Sequence, residues 1–109
     1  MPLYMTQFSY TSEAWVALAR NPQDRSEVIG DLLHKLGGRL IDLYYSFGEY
    51  DGLVIYEAPD DIAAATVVIA AVAPGHLKAT KMTKLLTVQE AMKAMQVAGT
   101  LSYPGPSSR

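Results

Sequence analysis

RLIDLYYSFGEYDGLVIYE, residues 39–57, decides the fold. Arg39 to Phe47 and Leu53 to Glu57 are rich in aromatic and branched apolar residues, the side chains that fit a pleated, half-covered surface. Between them Gly48-Glu49-Tyr50-Asp51-Gly52 supplies turn residues and too little chain for a crossover. Two strands this close in sequence pair antiparallel, so the segment reads as a hairpin.

Immediately upstream, Gly37-Gly38 marks the end of a helix, because glycine tolerates the positive φ that helix ends adopt. Val28, Leu32 and Leu36 form its apolar stripe, with Ile29 and Leu33 beside them and Arg25, Asp31 and Lys35 elsewhere. The helical region opens at Thr11 or Ser12, an N-cap followed by Glu13, and Asn21-Pro22 predicts a restart with proline at the first helical position. Leu3 to Tyr10 reads as a first strand. Its two faces, Leu3, Met5, Gln7 and Tyr4, Thr6, Phe8, Tyr10, carry no charge, so both are expected to be covered.

Downstream, Pro59-Asp60-Asp61 opens a second helix whose body, Ile62 to Ala73, is apolar all round and alanine-rich, which predicts burial on more than one side. Pro74-Gly75 stops it, and Leu77 to Leu86 is a fourth strand. Thr87-Val88-Gln89-Glu90 has the capping-box pattern and starts a short helix with Ala91, Met92 and Met95. Residues 1–98 are expected to form one domain, and the Pro/Gly/Ser-containing stretch 99–109 a flexible tail. The order strand, helix, strand, strand, helix, strand is a ferredoxin-like βαββαβ plan of the α+β class, a four-stranded antiparallel sheet with both helices on one face. Apolar residues on the other face predict that two sheets meet, giving a homodimer and room for a higher oligomer.

Composition narrows function mainly by exclusion. Only 18% of the 109 residues are charged and half are hydrophobic, the balance of a packed domain. The net charge of −2, with both signs scattered, argues against a nucleic-acid partner; Lys78, Lys81 and Lys84 alternate along a strand and make no common patch. No cysteine is present, which removes thiolate chemistry and cysteine metal sites. Residues 62–73 are too short an apolar run for a bilayer, which needs ~18–20, and Met1 to Tyr4 shows no secretory pattern; a cytoplasmic protein without a membrane partner is expected.

Phe47-Gly48-Glu49-Tyr50-Asp51, followed by Glu57-Ala58-Pro59-Asp60-Asp61 and an alanine-rich helix, resembles the GYD-domain family, as do Tyr4 in the first strand and Thr11 at the first cap. The likeness covers about residues 3 to 95. It implies a dimeric α/β-barrel, two ferredoxin-like sheets paired, and no particular activity. Two departures stand out: Gly52 where a large apolar residue is usual, which loosens the hairpin, and an extra residue between His76 and Thr83, which predicts a bulge. The turn also looks like that of the effector-binding domains of Lrp/AsnC regulators, which bind small amino acids near a subunit interface. No DNA-binding helix pair precedes the domain here.

Candidate site residues follow from chemistry. Tyr50 and Asp51 present a phenol and a carboxylate, although Asp51 bonding to nearby amides, Tyr50 packing over the hairpin and Gly48 taking an unusual backbone angle explain the turn structurally. His34 sits where a cation suits a helix C-terminus. His76, at the entry to a strand, is the candidate proton-transfer group, with Asp42, Asp51 or Glu57 as partners; Asp42 is the candidate carboxylate. Tyr44 and Glu57 join Tyr50 and Asp51 as ligand-binding candidates. Seven tyrosines suit an interface, or a cleft for an aromatic ligand. No metal, cofactor or nucleotide motif is present. Three readings stay open: a small-molecule-binding or regulatory protein, a cofactor-independent enzyme acting on an aromatic or carbonyl compound, and a structural oligomer-forming module.

Overall fold

A computed structural model describes residues 1–106. In chain order the elements are β1 (Leu3–Tyr10), α1 (Ser12–Arg20), α2 (Ser26–Lys35), β2 (Arg39–Tyr45), β3 (Gly52–Glu57), α3 (Asp61–Val72), β4 (Leu77–Leu85) and α4 (Val88–Ala98). The strands form one antiparallel sheet in the order β2-β3-β1-β4. This is the ferredoxin-like α+β arrangement, with β1 and β3 as the central pair.

Alternation in the two central strands sets the layers. Tyr4, Thr6 and Phe8 of β1 pair with Tyr56, Val54 and Gly52 of β3, and this face is buried beneath Ala14 of α1, Leu33 of α2, and Ala64 and Val67 of α3. The opposite face carries Leu3, Met5, Gln7, Leu53 and Ile55, half-buried by their neighbours and outside the core beneath the helices. Polar ends hold the helices: Thr11 Oγ1 accepts from Ala14 N at 3.1 Å, an Asp60 carboxylate oxygen from Ala63 N at 2.8 Å, and Thr87 and Glu90 complete the capping box. Gly37, at φ 79°, closes α2, with Gly38 N donating to Leu33 O across the last turn.

Several expectations are corrected. The helical restart falls at Ser26 and not at Pro22: Asn21 caps the end of α1, and the Asp24 carboxylate takes the Ser26 N–H, which delays the turn. β2 ends at Tyr45, because Ser46 is drawn into the turn, its N–H donating to Asp51 O and its hydroxyl to Tyr50 O, both at 2.8 Å. Gly48 is not a positive-φ residue; among the described residues those are Gly37 and Gly75. α3 is not buried on several sides: Ala64 and Val67 face the core, while Ile62 and Ile69 are exposed. The predicted bulge is present, with the β1–β4 register slipping at Ser9/Tyr10 so that Lys78 has no partner, and a second, unforeseen one displaces Ile41 in β2.

Gly52 has a reason the sequence did not reveal. A Cβ there would overlap the Phe8 ring and come within 2.8 Å of Tyr44 O, so the glycine lets an aromatic side chain lie across the hairpin instead of loosening it. Gly52→Ala is therefore expected to cost about 1–3 kcal/mol by overpacking, read as a lowered urea midpoint with unchanged m-value.

α4 buries no side chain, and Val88, Met92 and Met95 along it are exposed. It lengthens the molecule to 62 Å against 32 and 21 Å in the other directions. No helix or strand follows it through Pro106; residues 107–109 of the expected tail lie outside the described residues.

Candidate functional site

α2 packs over β2 and α3 over β4, the two outer strands. The central strands are thus left as the floor of a gap between the helices. This gap is a cavity of about 210 Å³. Its floor is Thr6 and Phe8 of β1 with Val54 and Tyr56 of β3; Val28, Ile29 and Leu32 form one wall, Val67, Val68 and Ala71 the other, and Arg25, Pro74, His76 and Leu77 lie around its rim. The walls are apolar because the same stripes that dock the helices continue past their contact with the sheet.

Four hydroxyl side chains, Thr6, Tyr10, Tyr56 and Thr80, interrupt the apolar lining. Thr6 Oγ1 and Tyr56 OH lie 2.8 Å apart and are buried, and burial raises the Tyr56 phenol above its ordinary pKa, against a smaller lowering by the Thr6 bond. Each hydroxyl carries one hydrogen and their mutual bond uses one of the two. The second hydrogen is not used in that bond.

At one end the lining merges with an aromatic cluster. Tyr10 meets Phe8 and Trp15 edge-on, with ring centroids 5.2 and 5.1 Å apart, and its hydroxyl lies 3.2 Å from that of Tyr45. Burial and the Tyr45 bond raise the Tyr10 phenol well above its usual value, while the nearby Arg25 cation pulls it the other way. Arg25 donates to Gln23 Oε1 at 2.9 Å, and no carboxylate pairs with it among the described residues.

The candidate residues read from the sequence are divided by the fold. His76 borders the cavity, its carbonyl held by Thr11 N at 2.9 Å. Asp51 does not border it; one carboxylate oxygen accepts from Tyr10 N at 2.8 Å and Trp15 Nε1 at 3.2 Å, tying the hairpin turn to the β1–α1 junction. Tyr50 contributes its carbonyl to Ser46. Asp42, Tyr44 and Glu57 share the other face of the sheet: Tyr44 OH donates to Asp42 at 2.7 Å, and Arg39 pairs with Glu57 at 2.9 Å. Tyr4, Tyr10 and Tyr56 belong to the internal core, which reduces the number of tyrosines available to an interface. Thr6, Tyr56 and Arg25 line the cavity but were not among the site residues read from the sequence. Thr6 carries the usable signal, a polar side chain on a buried aromatic face.

A model of the GYD domain matches residues 4–95. The chain belongs to the GYD-domain family. In this GYD-domain protein the Gly48-Glu49-Tyr50-Asp51 motif is the pin just described, with Asp51 as its anchoring residue. No curated protein matches the chain. Among solved structures it resembles MtbAldR (Rv2779c) with a TM-score of 0.55 and 15% identity, over 79% of this chain and 52% of that one. The chain thus spans about half the length of MtbAldR. TTHA0845 from Thermus thermophilus aligns with a TM-score of 0.52 and 13% identity over 81% of this chain and 96% of its own. FFRP-DM1 aligns with 0.50 and 16% over 79% and 100%. At such identities the likeness concerns the fold.

Outside the cavity, Tyr4 OH donates to Asp61 Oδ1 at 2.5 Å and Lys84 Nζ reaches the same oxygen at 3.1 Å. The Tyr4 bond, then Lys84, hold the Asp61 carboxyl below its ordinary pKa, and the Asp61 bond, then burial, push the Tyr4 phenol up to about 12. A depressed carboxyl stabilises the fold above its unfolded pKa, and that contribution disappears as pH falls through the folded value. A raised phenol stabilises below its unfolded pKa and loses the effect as pH climbs towards the folded value. Asp61→Asn is accordingly expected to lower Tm near neutrality and to flatten the acid limb of Tm against pH, measured by thermal melts from pH 2 to 7. Among the described residues no helix is long and apolar enough to cross a membrane, and no group of side chains could hold a metal ion.

Proposed function

We propose that this GYD-domain protein is a small-molecule-binding regulatory homodimer whose ligand occupies the cavity between the central strands and helices α2 and α3. The observation that carries the reading is the buried Thr6–Tyr56 hydroxyl pair set into a mainly apolar cavity of about 210 Å³. A void of about 150 Å³ holds a benzene molecule, so there is room for a ligand somewhat larger than one ring. The resemblance of the Gly48–Asp51 turn to the effector-binding domains of Lrp/AsnC regulators supports the regulatory part. Binding is preferred to catalysis because among the described residues no carboxylate borders the cavity to partner His76.

The second copy is seated on the open sheet face. Leu3, Met5, Leu53, Ile55 and Leu85 make that face apolar, with Asp42 at its β2 rim and Lys81 at its β4 rim. A two-fold axis along the strands lays one rim over the other and brings opposite charges together. Dimerisation also gives α4 a surface: an 11-residue helix without packing is unstable in water, and its apolar stripe lies against the second copy.

The cavity reading is tested by thermal shift with a panel of single-ring and branched-chain compounds of different charge. A ligand at 100 times its Kd adds about 2.7 kcal/mol of stability. At least one compound is expected to raise Tm, and to lose the effect in Val67→Trp, which fills the cavity. A panel that leaves Tm unmoved would count against the reading.

A further inference from the structure

We infer that the cavity takes a small organic monoanion, a carboxylate on a compact apolar body of one ring or a branched chain, with the carboxylate at Arg25. The inference rests on the cavity reading above and adds the chemistry of the ligand. Among the described residues that line the cavity, no side chain is acidic, and the Asp51 carboxylate, which does not border it, is held by Tyr10 N and Trp15 Nε1. Tyr10, Arg25, Tyr56 and His76 are the titratable side chains bordering it, and both tyrosines are held neutral by raised pKa values. Arg25 brings a guanidinium cation, and among the described residues no acidic side chain borders the space to cancel it. Cationic amines are disfavoured there and anions are attracted.

Arg25 is also free to bind. It is half-exposed at the start of α2, pairs with no carboxylate among the described residues, and engages Gln23 through one Nη only. The guanidinium fork matches the two oxygens of a carboxylate. A single fork is too little for a phosphate dianion, which calls for several donors, so a carboxylate is the anion that fits. The rest of the ligand is defined by the walls. Branched aliphatic side chains of α2 and α3 surround an uncharged interior, with the hydroxyl side chains of Thr6, Tyr56 and Thr80 among the residues bordering it from the sheet. The volume, above that of a benzene site and below the ~300 Å³ at which drug-sized pockets begin, limits the body to roughly five to ten heavy atoms.

The test is isothermal titration of the full chain with acid and amide pairs of the same shape: 3-phenylpropionate against 3-phenylpropanamide, and 4-methylpentanoate against 4-methylpentanamide. The acid of a pair is expected to bind about tenfold or more tightly than its amide, the scale of a charge-assisted bond over a neutral one. Arg25→Gln, a rim substitution outside the core, is expected to bring the acid down towards the amide; Val67→Trp is expected to remove binding of both. Amides that bind as tightly as acids would overturn the anion assignment and leave the cavity reading standing. Acid preference that survives in Arg25→Gln would overturn the role of Arg25. If neither series binds the folded protein, both inferences fall. Circular dichroism of each variant separates loss of binding from loss of fold.

Discussion

Met5→Glu is expected to turn the proposed homodimer into folded monomers. Met5 stands on central strand β1, opposite Ile55 on one side and Thr83 on the other, in the middle of the open face. In a monomer this position meets water, so glutamate there costs the fold little. In the dimer each copy would bury a carboxylate among apolar side chains, and an unpaired charge in an interface costs about 3–5 kcal/mol. Two-fold symmetry doubles the penalty. The dissociation constant is expected to rise on the order of ten-thousandfold or more. Sedimentation velocity at micromolar concentration reads the result directly: a dimeric parent and a monomeric variant with the same far-UV spectrum. A variant that remains dimeric would place the interface elsewhere.

Leu33→Ala is expected to have the largest effect on the stability of a single chain. Leu33 is one of three fully buried large side chains and is the buried residue through which α2 docks on the sheet. Truncating such a leucine costs about 2–5 kcal/mol, from lost transfer energy plus the cavity left behind. The substitution also loosens the wall formed by Val28, Ile29 and Leu32. A lowered urea midpoint together with weakened ligand stabilisation is therefore expected, whereas Gly52→Ala, acting at the hairpin, changes only the first.

The order of strands and helices was readable because each element carried its own period: alternation in β1 and β3, a helical stripe in α2, and turn residues between. Element ends were less legible. Pro22 had the form of a helix start, but Asp24 competed for the same backbone with a local bond to Ser26. α3 shows a different limit. Apolar residues all round a helix report how much surface needs cover but not which molecule covers it, and here Ile62 and Ile69 remain exposed in the single chain.

The site was less visible than the fold for a physical reason. Residues with conspicuous chemistry, Asp42, Asp51 and Glu57, are engaged in local bonds to Tyr44, Tyr10, Trp15 and Arg39. The cavity, in contrast, arises from the spacing of α2 and α3 over the outer strands, a tertiary quantity that no motif encodes. Its polar groups come from β1, β3, the start of α2, and β4 with the residue before it, brought together only by folding.

The central claim, that the space between α2 and α3 is a ligand site, is tested most directly by methyl NMR. The chain, labelled at Ile, Leu and Val methyls, is titrated with 3-phenylpropionate. Saturable shifts are expected at Ile29, Leu32, Val54 and Val67, with Leu3, Ile55 and Leu85 of the open sheet face unmoved. Shifts confined to the open face, or none at any methyl, would contradict the claim.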